Sequence, residues 1–182
     1  MQILKIEVMI LDFSALQIVH YPAKVLREPA KPITQINDEV ATVARRMLEL
    51  MHQAPGVGLA APQIGLSWRL FVANATGEPE DDCVYINPVL SQPGRQTADR
   101  EEGCLSLPGI TGIIRRPQAI TITALDIQGR SFTQTADDLW ARIWQHENDH
   151  LDGRLIIDLM APIDRLANER LIRDMERVAS LK

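Results

Sequence analysis

Residues 145–153 read Gln-His-Glu-Asn-Asp-His-Leu-Asp-Gly. Other segments of the chain are expected to contribute residues to a site that this stretch forms. Residues four apart in a helix lie one above the other on a single face, so His146 and His150 can point their imidazoles at one metal ion. Glu147 projects beside them, toward a water on that ion. Two neutral imidazoles and a carboxylate make up most of a hydrolytic centre, because a metal lowers the pKa of water and a carboxylate can move its proton.

The sequence around this motif predicts a helix over residues 136–151. Apolar residues recur there at helical spacing, and a glycine follows at position 153. The same pattern would also fit a helix whose histidines form a polar face without a metal. A catalytic metal is usually held by three protein groups, and after His150 the chain has no further His or Cys. Only carboxylates such as Asp152, Asp158, Asp164 and Glu169 could serve from that side, so the third ligand is sought upstream.

Cys104 is the natural upstream partner of the two histidines. It lies in a segment bounded by Gly103 and Pro108, and a thiolate is a strong ligand for zinc or ferrous iron. A buried inert cysteine and a nucleophilic thiol activated by a histidine are the competing interpretations. The nucleophile gives no role to two histidines spaced to share a metal around a glutamate. Cys83, inside an apolar strand pattern, is expected in the core.

Residues 56–65 contain three glycines, small residues and one side-chain amide, that of Gln63. The segment lacks the Gly-Lys-Ser/Thr ending of a phosphate-binding loop. It fits either a tight turn with close backbone packing or a backbone edge that a substrate approaches, with Gln63 donating from its amide.

Composition and length limit the class of protein. A chain of 182 residues, 46% hydrophobic and 24% charged, fits one soluble domain. The net charge of -5 argues against broad binding of nucleic acid or anionic membranes. Two cysteines make no disulfide framework, no export signal is seen, and no apolar run could span a bilayer. We expect a cytoplasmic protein with an N-terminal extension over residues 1–14 and a single catalytic domain over residues 15–182.

Other elements are predicted from local patterns. Asn37 can cap a helix running to about Gln53, with an apolar stripe of Val40, Val43, Ala44, Met47, Leu48 and Met51. His52, near the end of that helix, is expected to be structural. Strand-like runs occupy residues 68–73, 83–90 and 119–125, whereas residues 91–100 read as a polar loop.

The C-terminal segment predicts one final helix from Pro162. Its expected buried stripe is Ile163, Leu166, Ala167, Leu171, Met175 and Val178. Arg170, Arg173 and Arg177 share another side, which we interpret as a solvated face with pairs such as Glu169 with Arg173.

With these segments in order, the chain resembles the peptide deformylases. The family signature is a Gly-x-Gly-Leu-Ala-Ala-x-Gln loop, a Glu-Gly-Cys-Leu-Ser segment and a His-Glu-x-x-His helix, matched here by residues 56–63, 102–106 and 146–150. The resemblance implies an α+β fold of antiparallel strands packed around a central metal-binding helix, with N-terminal and C-terminal helices. It implies a hydrolase that removes the formyl group from the N-terminal formyl-methionine of newly made polypeptides, releasing formate.

The resemblance also implies roles for individual residues. Cys104, His146 and His150 would hold one divalent metal, typically ferrous iron in the cell, although zinc, nickel or cobalt can occupy such ligands. Glu147 matches the acid/base. The donors to the developing oxyanion would be Gln63 and the backbone N–H of Leu105. The residues that would contact the peptide or build its methionine pocket are Val57, Gly58, Glu102, Gly103, Leu139, Arg142 and Ile143.

Two positions depart from the family pattern. Many relatives carry Arg seven residues after the metal-binding Cys, where this chain has Thr111, and Gly109 replaces a bulkier polar residue. Both changes bear on the grip on the peptide beyond the methionine. The implied partners are N-formyl-methionyl peptides and nascent chains, with ribosome docking through the last helix as a weaker hypothesis.

Two other classes remain open from the sequence. A zinc endopeptidase of the His-Glu-x-x-His type would place its third ligand, a His or Glu, downstream. That class assigns no function to residues 56–63 or to Cys104. A homologue that binds peptide or metal without turnover would not need Glu147 and Gln63. Release of formate from a formyl-methionyl peptide separates all three.

Overall fold

The computed structural model describes residues 13–181, so the predicted extension lies almost entirely outside the described residues. Within this range the fold is mixed helix and antiparallel sheet, as the resemblance predicts. The strands are β1 (Gly58–Ala60), β2 (Leu70–Ala73), β3 (Cys83–Ser91), β4 (Thr97–Gly103), β5 (Thr111–Pro117), β6 (Ala119–Leu125) and β7 (Ser131–Asp137). The helices are α1 (Asp38–Gln53), α2 (Asp138–Leu151), α3 (Ile156–Leu159), α4 (Pro162–Ala167) and α5 (Glu169–Ala179). In the described part of the chain, no helix is both long and apolar enough to cross a membrane.

Two antiparallel sheets organise the molecule. The larger has the strand order β1-β2-β3-β6-β7, and the smaller pairs β4 with β5. Successive side chains of a strand point to opposite faces, and in β2 this divides the core. Phe71 and Ala73 pack with residues of α2, whereas Leu70 and Val72 pack with residues of α1. Helices thus cover both faces of the larger sheet, which explains why every residue of β2 is buried.

Helix α2 lies at the centre of the fold and is buried on most of its circumference. Trp144 packs edge-on against Tyr85, with ring centroids 5.9 Å apart, and Tyr85 stacks on Phe71 at 4.6 Å. The helix begins at Asp138, two residues later than predicted, because β7 continues to Asp137 through its pairing with β6. The apolar face of α2 is packed in the core, with His150 buried and His146 partly buried at the cleft.

Helix α1 confirms its prediction from the N-cap onward. The Asn37 side chain accepts a hydrogen bond from the backbone N–H of Val40, which satisfies one of the free donors at the helix start. The predicted stripe is buried except that Leu50 takes the place expected for Leu48, which is only partly buried.

The predicted polar loop over residues 91–100 is wrong in its second half. Residues from Thr97 onward form β4, which pairs with β5 without interruption from Thr97 with Pro117 to Gly103 with Thr111. Most side chains of β4 are exposed, so the strand carries no alternation of apolar and polar residues. The missing alternation removed the signal on which a strand prediction depends.

The single C-terminal helix with a buried stripe is also wrong. The helix is interrupted at Asn168, whose side-chain amide donates to the backbone oxygens of Thr111 and Asp164. Ile163 and Leu166 are 71% and 65% exposed, whereas Ile172 is 3% exposed and holds α5 to the fold. The break changes the helical phase, and a stripe counted through it does not correspond to one surface. The solvated face is as predicted, with Glu169 accepting from Arg173 at 2.6 Å.

Candidate active site

Two elements bring together the predicted metal ligands. Helix α2 carries His146 and His150, and the loop between β4 and β5 carries Cys104. One ligand atom from each residue lies within 4.8 Å of the other two, and Cys104 Sγ is 3.2 Å from His150 Nε2. A thiolate and two imidazoles at these separations fit a single divalent cation with a fourth position left open.

Glu147 lies beside this group with its carboxylate almost fully buried, at 4% residue exposure. Burial raises the pKa of Glu147 to about 7, against the opposing influence of His146. Its Oε2 atom is buried and has no hydrogen-bond partner among the described residues. A buried acceptor without a partner costs free energy, so the site fits a water or another polar group between the carboxylate and the three ligands.

The position of Glu147 depends on a glycine in β1. A Cβ atom added to Gly58 would lie 2.8 Å from Glu147 Cδ and 2.9 Å from Cγ, with Oε1 closer still. No ordinary side chain fits there while the carboxylate stays in place. Holding the Glu147 carboxylate in this place therefore requires glycine at position 58.

Gln63 is held in one orientation by its surroundings. Its side-chain oxygen accepts from the backbone N–H of Ala60 at 2.8 Å, which turns the amide nitrogen toward Cys104 Sγ at 3.5 Å and Ser106 Oγ at 3.3 Å. The residue is 1% exposed. A fixed N–H donor thus points at the metal group.

His146 is oriented by a buried carboxylate. Its Nδ1 lies 2.9 Å from Glu102 Oε2, and Glu102 also accepts hydrogen bonds from Arg116 and Arg142. Burial alone would raise the pKa of Glu102, but the hydrogen bonds from Arg116 and His146 hold it well below its usual range. The carboxylate is therefore ionised and can fix both the tautomer and the ring plane of the imidazole.

The surroundings shift the pKa values of the two histidines in opposite directions. Burial and the charge of His146 lower the pKa of His150 well below its ordinary value. For His146 burial acts in the same direction, but hydrogen bonds to Cys104 and Glu102 outweigh it and raise the pKa well above the ordinary value. A ligating imidazole must be neutral, so a metal competes with a proton at His146.

A cleft of about 530 Å³ opens beside this group. All seven residues expected to contact the substrate line it, and so does Leu105; the part that each plays with substrate stays a prediction. Val57 and Leu139 are 45% and 42% exposed and give the cleft apolar surface. The carboxylate of Glu102 contacts His146, Arg116 and Arg142. Glu102 therefore lines the cleft and also orients one of the predicted metal ligands.

Two residues near the site were not singled out from the sequence. Arg116 and Asp149 are buried and hydrogen-bonded to each other beside Glu102. Once β5 is recognised, Arg116 falls on the same face as buried Ile114, which is the signal that could have found it. His52 lies elsewhere and pairs with Asp82 at 2.8 Å, consistent with a structural role.

The sequence of the chain is similar to those of known enzymes. A family model described as polypeptide deformylase matches residues 15–166. A peptide deformylase of Hamiltonella defensa subsp. Acyrthosiphon pisum (strain 5AT) is 41% identical over 168 residues, covering 92% of this chain and 96% of the relative. One of Acidobacterium capsulatum is 42% identical over 163 residues, covering 88% and 95%.

Solved structures agree with the sequence comparison. The peptide deformylase of Plasmodium falciparum superimposes with a TM-score of 0.88 at 34% identity, over 91% of this chain and 98% of that chain. A peptide deformylase from Legionella pneumophila gives a TM-score of 0.83 at 36% identity, over 92% and 99%.

Proposed function

The chain belongs to the polypeptide deformylase family, and we propose that its cleft performs the family's reaction with one divalent cation held by Cys104, His146 and His150. The known activity of the family is deformylation of nascent chains. The chain is accordingly a metal-dependent hydrolase that acts on the N-terminal formyl-methionine of newly made polypeptides and releases formate. The observation that carries the residue assignment is a thiolate and two imidazoles grouped beside a buried carboxylate in one cleft.

Ferrous iron is the proposed ion in the cell, with zinc, nickel or cobalt able to take its place in purified protein. The donor set supports this choice, because thiolate and imidazole suit borderline transition metals and disfavour magnesium or calcium. A divalent ion at these ligands would lower the pKa of water and polarise the formyl oxygen.

Glu147 is the proposed acid and base of the reaction. It accepts a proton from the attacking water as the water oxygen bonds to the formyl carbon. It then gives that proton to the amine nitrogen as the carbon–nitrogen bond breaks, so that formate and a free amino terminus leave. A carboxyl whose pKa lies about 7 is suited to both transfers near neutral pH.

Two N–H donors are proposed to hold the charge that develops on the formyl oxygen. One is the side-chain amide of Gln63, fixed by Ala60, and the other is the backbone N–H of Leu105, next to Cys104. Donors held in place before the reaction stabilise a transition state without reorganisation cost.

The peptide is proposed to lie between Val57 and Gly103, whose backbones border the cleft at the start of β1 and the end of β4. Pairing with both edges would add the substrate as an extra strand. The side chain of methionine would enter the pocket built by Gly58, Glu102, Leu139, Arg142 and Ile143, where its flexible thioether can fill an irregular apolar space.

The experiment that tests the proposal is formate release from formyl-Met-Ala-Ser by protein purified without oxygen, with metal analysis of the same sample. Glu147→Ala should retain the metal and lose turnover, whereas Cys104→Ser should lose metal affinity. A zinc endopeptidase would instead cleave internal bonds, and a binding protein would release no formate. A fully active Glu147→Ala variant would refute the assigned chemistry.

The finer questions of peptide preference are also open to test. We propose that Thr111 and Gly109 alter the preference for residues beyond the methionine. The kcat/KM on formyl-Met peptides of increasing length should then depend on length less steeply than in a relative with Arg at the Thr111 position. An equal dependence would argue against this.

We further propose that residues 15–182 act as one catalytic domain in the cytoplasm, where nascent chains are made. Docking on the ribosome is the weaker part of the proposal and would involve Arg170, Arg173 and Arg177. Each of these arginines forms an ion pair with an acidic residue of α5, at 4.0, 2.6 and 3.2 Å respectively. These pairs partly neutralise the positive charge that the helix could present to ribosomal RNA. Unchanged ribosome co-sedimentation after replacing all three would remove the hypothesis.

A further inference from the structure

We propose that Arg116 is a positioning residue for the metal ligands, acting through two carboxylates that border the histidines. One is Glu102, which orients His146, and the other is Asp149, the residue before His150. The proposal rests on the proposed function in one respect, since it takes the Cys104, His146 and His150 group to bind a metal.

Arg116 contacts both carboxylates from a buried position. Its Nε donates to Glu102 Oε1 at 2.6 Å and its Nη2 donates to Glu102 Oε2 at 2.8 Å. Its Nη1 donates to Asp149 Oδ2 at 2.8 Å. The side chain of Arg116 is 6% exposed, and those of Glu102 and Asp149 are 6% and 10% exposed. One guanidinium thus joins β4 to α2 beside the metal group.

The link from Glu102 to the ligand is direct. Glu102 Oε2 receives Arg116 and His146 on the same oxygen, while Oε1 is shared between Arg116 and Arg142. With both oxygens held, the carboxylate cannot rotate without breaking a charged hydrogen bond. The direction of the His146 ring is therefore set by Glu102, whose two oxygens are both held by Arg116 and one of them also by Arg142.

This task requires an arginine rather than a general positive charge. A planar fork can hold both oxygens of Glu102 and still reach Asp149 on another element, whereas the ammonium of lysine is a point charge on a flexible stem. A buried ion pair is weak evidence for a stabilising role, because the cost of desolvation offsets much of the attraction. We therefore expect the main effect of Arg116 to be on the orientation of His146 and not on the stability of the fold.

The neighbouring residue provides a matched control. Arg115 holds Asp99 with the same two-bond geometry, at 2.7 and 2.8 Å, but its side chain points to solvent and is 72% exposed. The two arginines share a strand, a charge and a type of ion pair. They differ in burial and in their connection to the metal group.

The decisive experiment compares Arg116→Lys with Arg115→Lys. The affinity for Zn²⁺ is measured by chelator competition, and the absorption spectrum of the Co²⁺ protein reports ligand geometry. We expect Arg116→Lys to weaken Zn²⁺ binding by about 10- to 100-fold, the range typical of residues that support a ligand, and to change the Co²⁺ spectrum. Arg115→Lys should leave both unchanged. Unaltered affinity and spectrum in Arg116→Lys would overturn the proposal.

Controls separate this role from a purely structural one. Circular dichroism and thermal unfolding of the metal-free variants report folding. A loss of affinity in Arg116→Lys that is matched by loss of helix content would show that Arg116 acts through folding, and would also overturn the proposal. Absence of metal binding in the parent protein would instead refute the proposed function.

Arg116→Ala gives a second, independent test. A separate cavity of about 290 Å³, lined by Arg116, Gln145, Asp149 and Arg154, offers a route to the space that the guanidinium would leave. Added guanidinium ion should then restore part of the Zn²⁺ affinity of Arg116→Ala, whereas equal concentrations of sodium chloride or urea should not. Equal effects of all three additives would count against a positioning role.

Discussion

Replacing Gly58 by alanine should remove most of the turnover of this enzyme while leaving the metal ligands unchanged. The added methyl group would lie 2.8 Å from Cδ of Glu147, whereas carbon atoms pack at about 3.5–4.0 Å. Because Gly58 lies in β1 and Glu147 on the central helix, the shortest relief is rotation of the carboxylate. The shift required is about 1 Å.

The expected magnitude follows from that shift. A displacement of about 1 Å in a catalytic group can cost about 100-fold in rate, equivalent to about 2.7 kcal/mol in the activation barrier. The backbone of Gly58 can yield by part of the distance, which would reduce the loss. A decrease in kcat of about 10- to 100-fold is therefore expected.

The assay is formate release under saturating formyl-Met peptide, with metal content measured on the same protein. Gly103→Ala is the matched comparison, because a Cβ there would meet Thr111 Cγ2 at an ordinary 3.6 Å. Since Gly103 borders the peptide, that variant should change KM more than kcat. Normal kcat in Gly58→Ala with full metal content would refute the argument that glycine is needed to seat the carboxylate.

Three further predictions concern stability. Ile172→Ala should lower the free energy of unfolding by about 2–5 kcal/mol, because it removes buried volume. Leu166→Ala, at an exposed position, should change it by less than about 0.5 kcal/mol. Urea unfolding measures both changes, and equal effects would contradict the assigned packing. Asn37→Ala should cost about 1 kcal/mol by removing the cap on Val40, and no change in the urea midpoint would argue against that cap. Metal at 100 times its dissociation constant should stabilise the folded chain by about 2.7 kcal/mol, so a chelator that leaves the melting temperature unchanged would speak against a site formed only on folding.

Local patterns were sufficient wherever a residue's surroundings depend on its own element. The cap of α1, its buried stripe except at Leu48, the extent of β6 and the spacing of the two histidines on α2 could be predicted, because helical and strand periods determine which residues share a face. Cys104 could be named as a third ligand by its chemistry, and its proximity to the histidines is confirmed.

The wrong predictions have a common cause. Most residues of β4 are exposed and show no alternation of apolar and polar side chains, so the strand depends on its pairing with β5, which the pattern within β4 does not reveal. At Asn168 the helix breaks because a side-chain amide finds the backbone of Thr111, in β5. Neither the pairing of β4 with β5 nor the hydrogen bond from Asn168 to Thr111 produces a periodic pattern in the sequence from which it could be predicted.

By itself the sequence determined the chemistry available to this protein, since residue type fixes which atoms can bind a metal, carry a proton or donate a hydrogen bond. Only the tertiary structure decided how those atoms are held. The contacts of Arg116 with Glu102 and Asp149, and the approach of Gly58 to Glu147, join residues from 14 to 89 positions apart in the chain. Such contacts depend on how strands and helices pack against one another, and packing is a property of the assembled core rather than of any one segment.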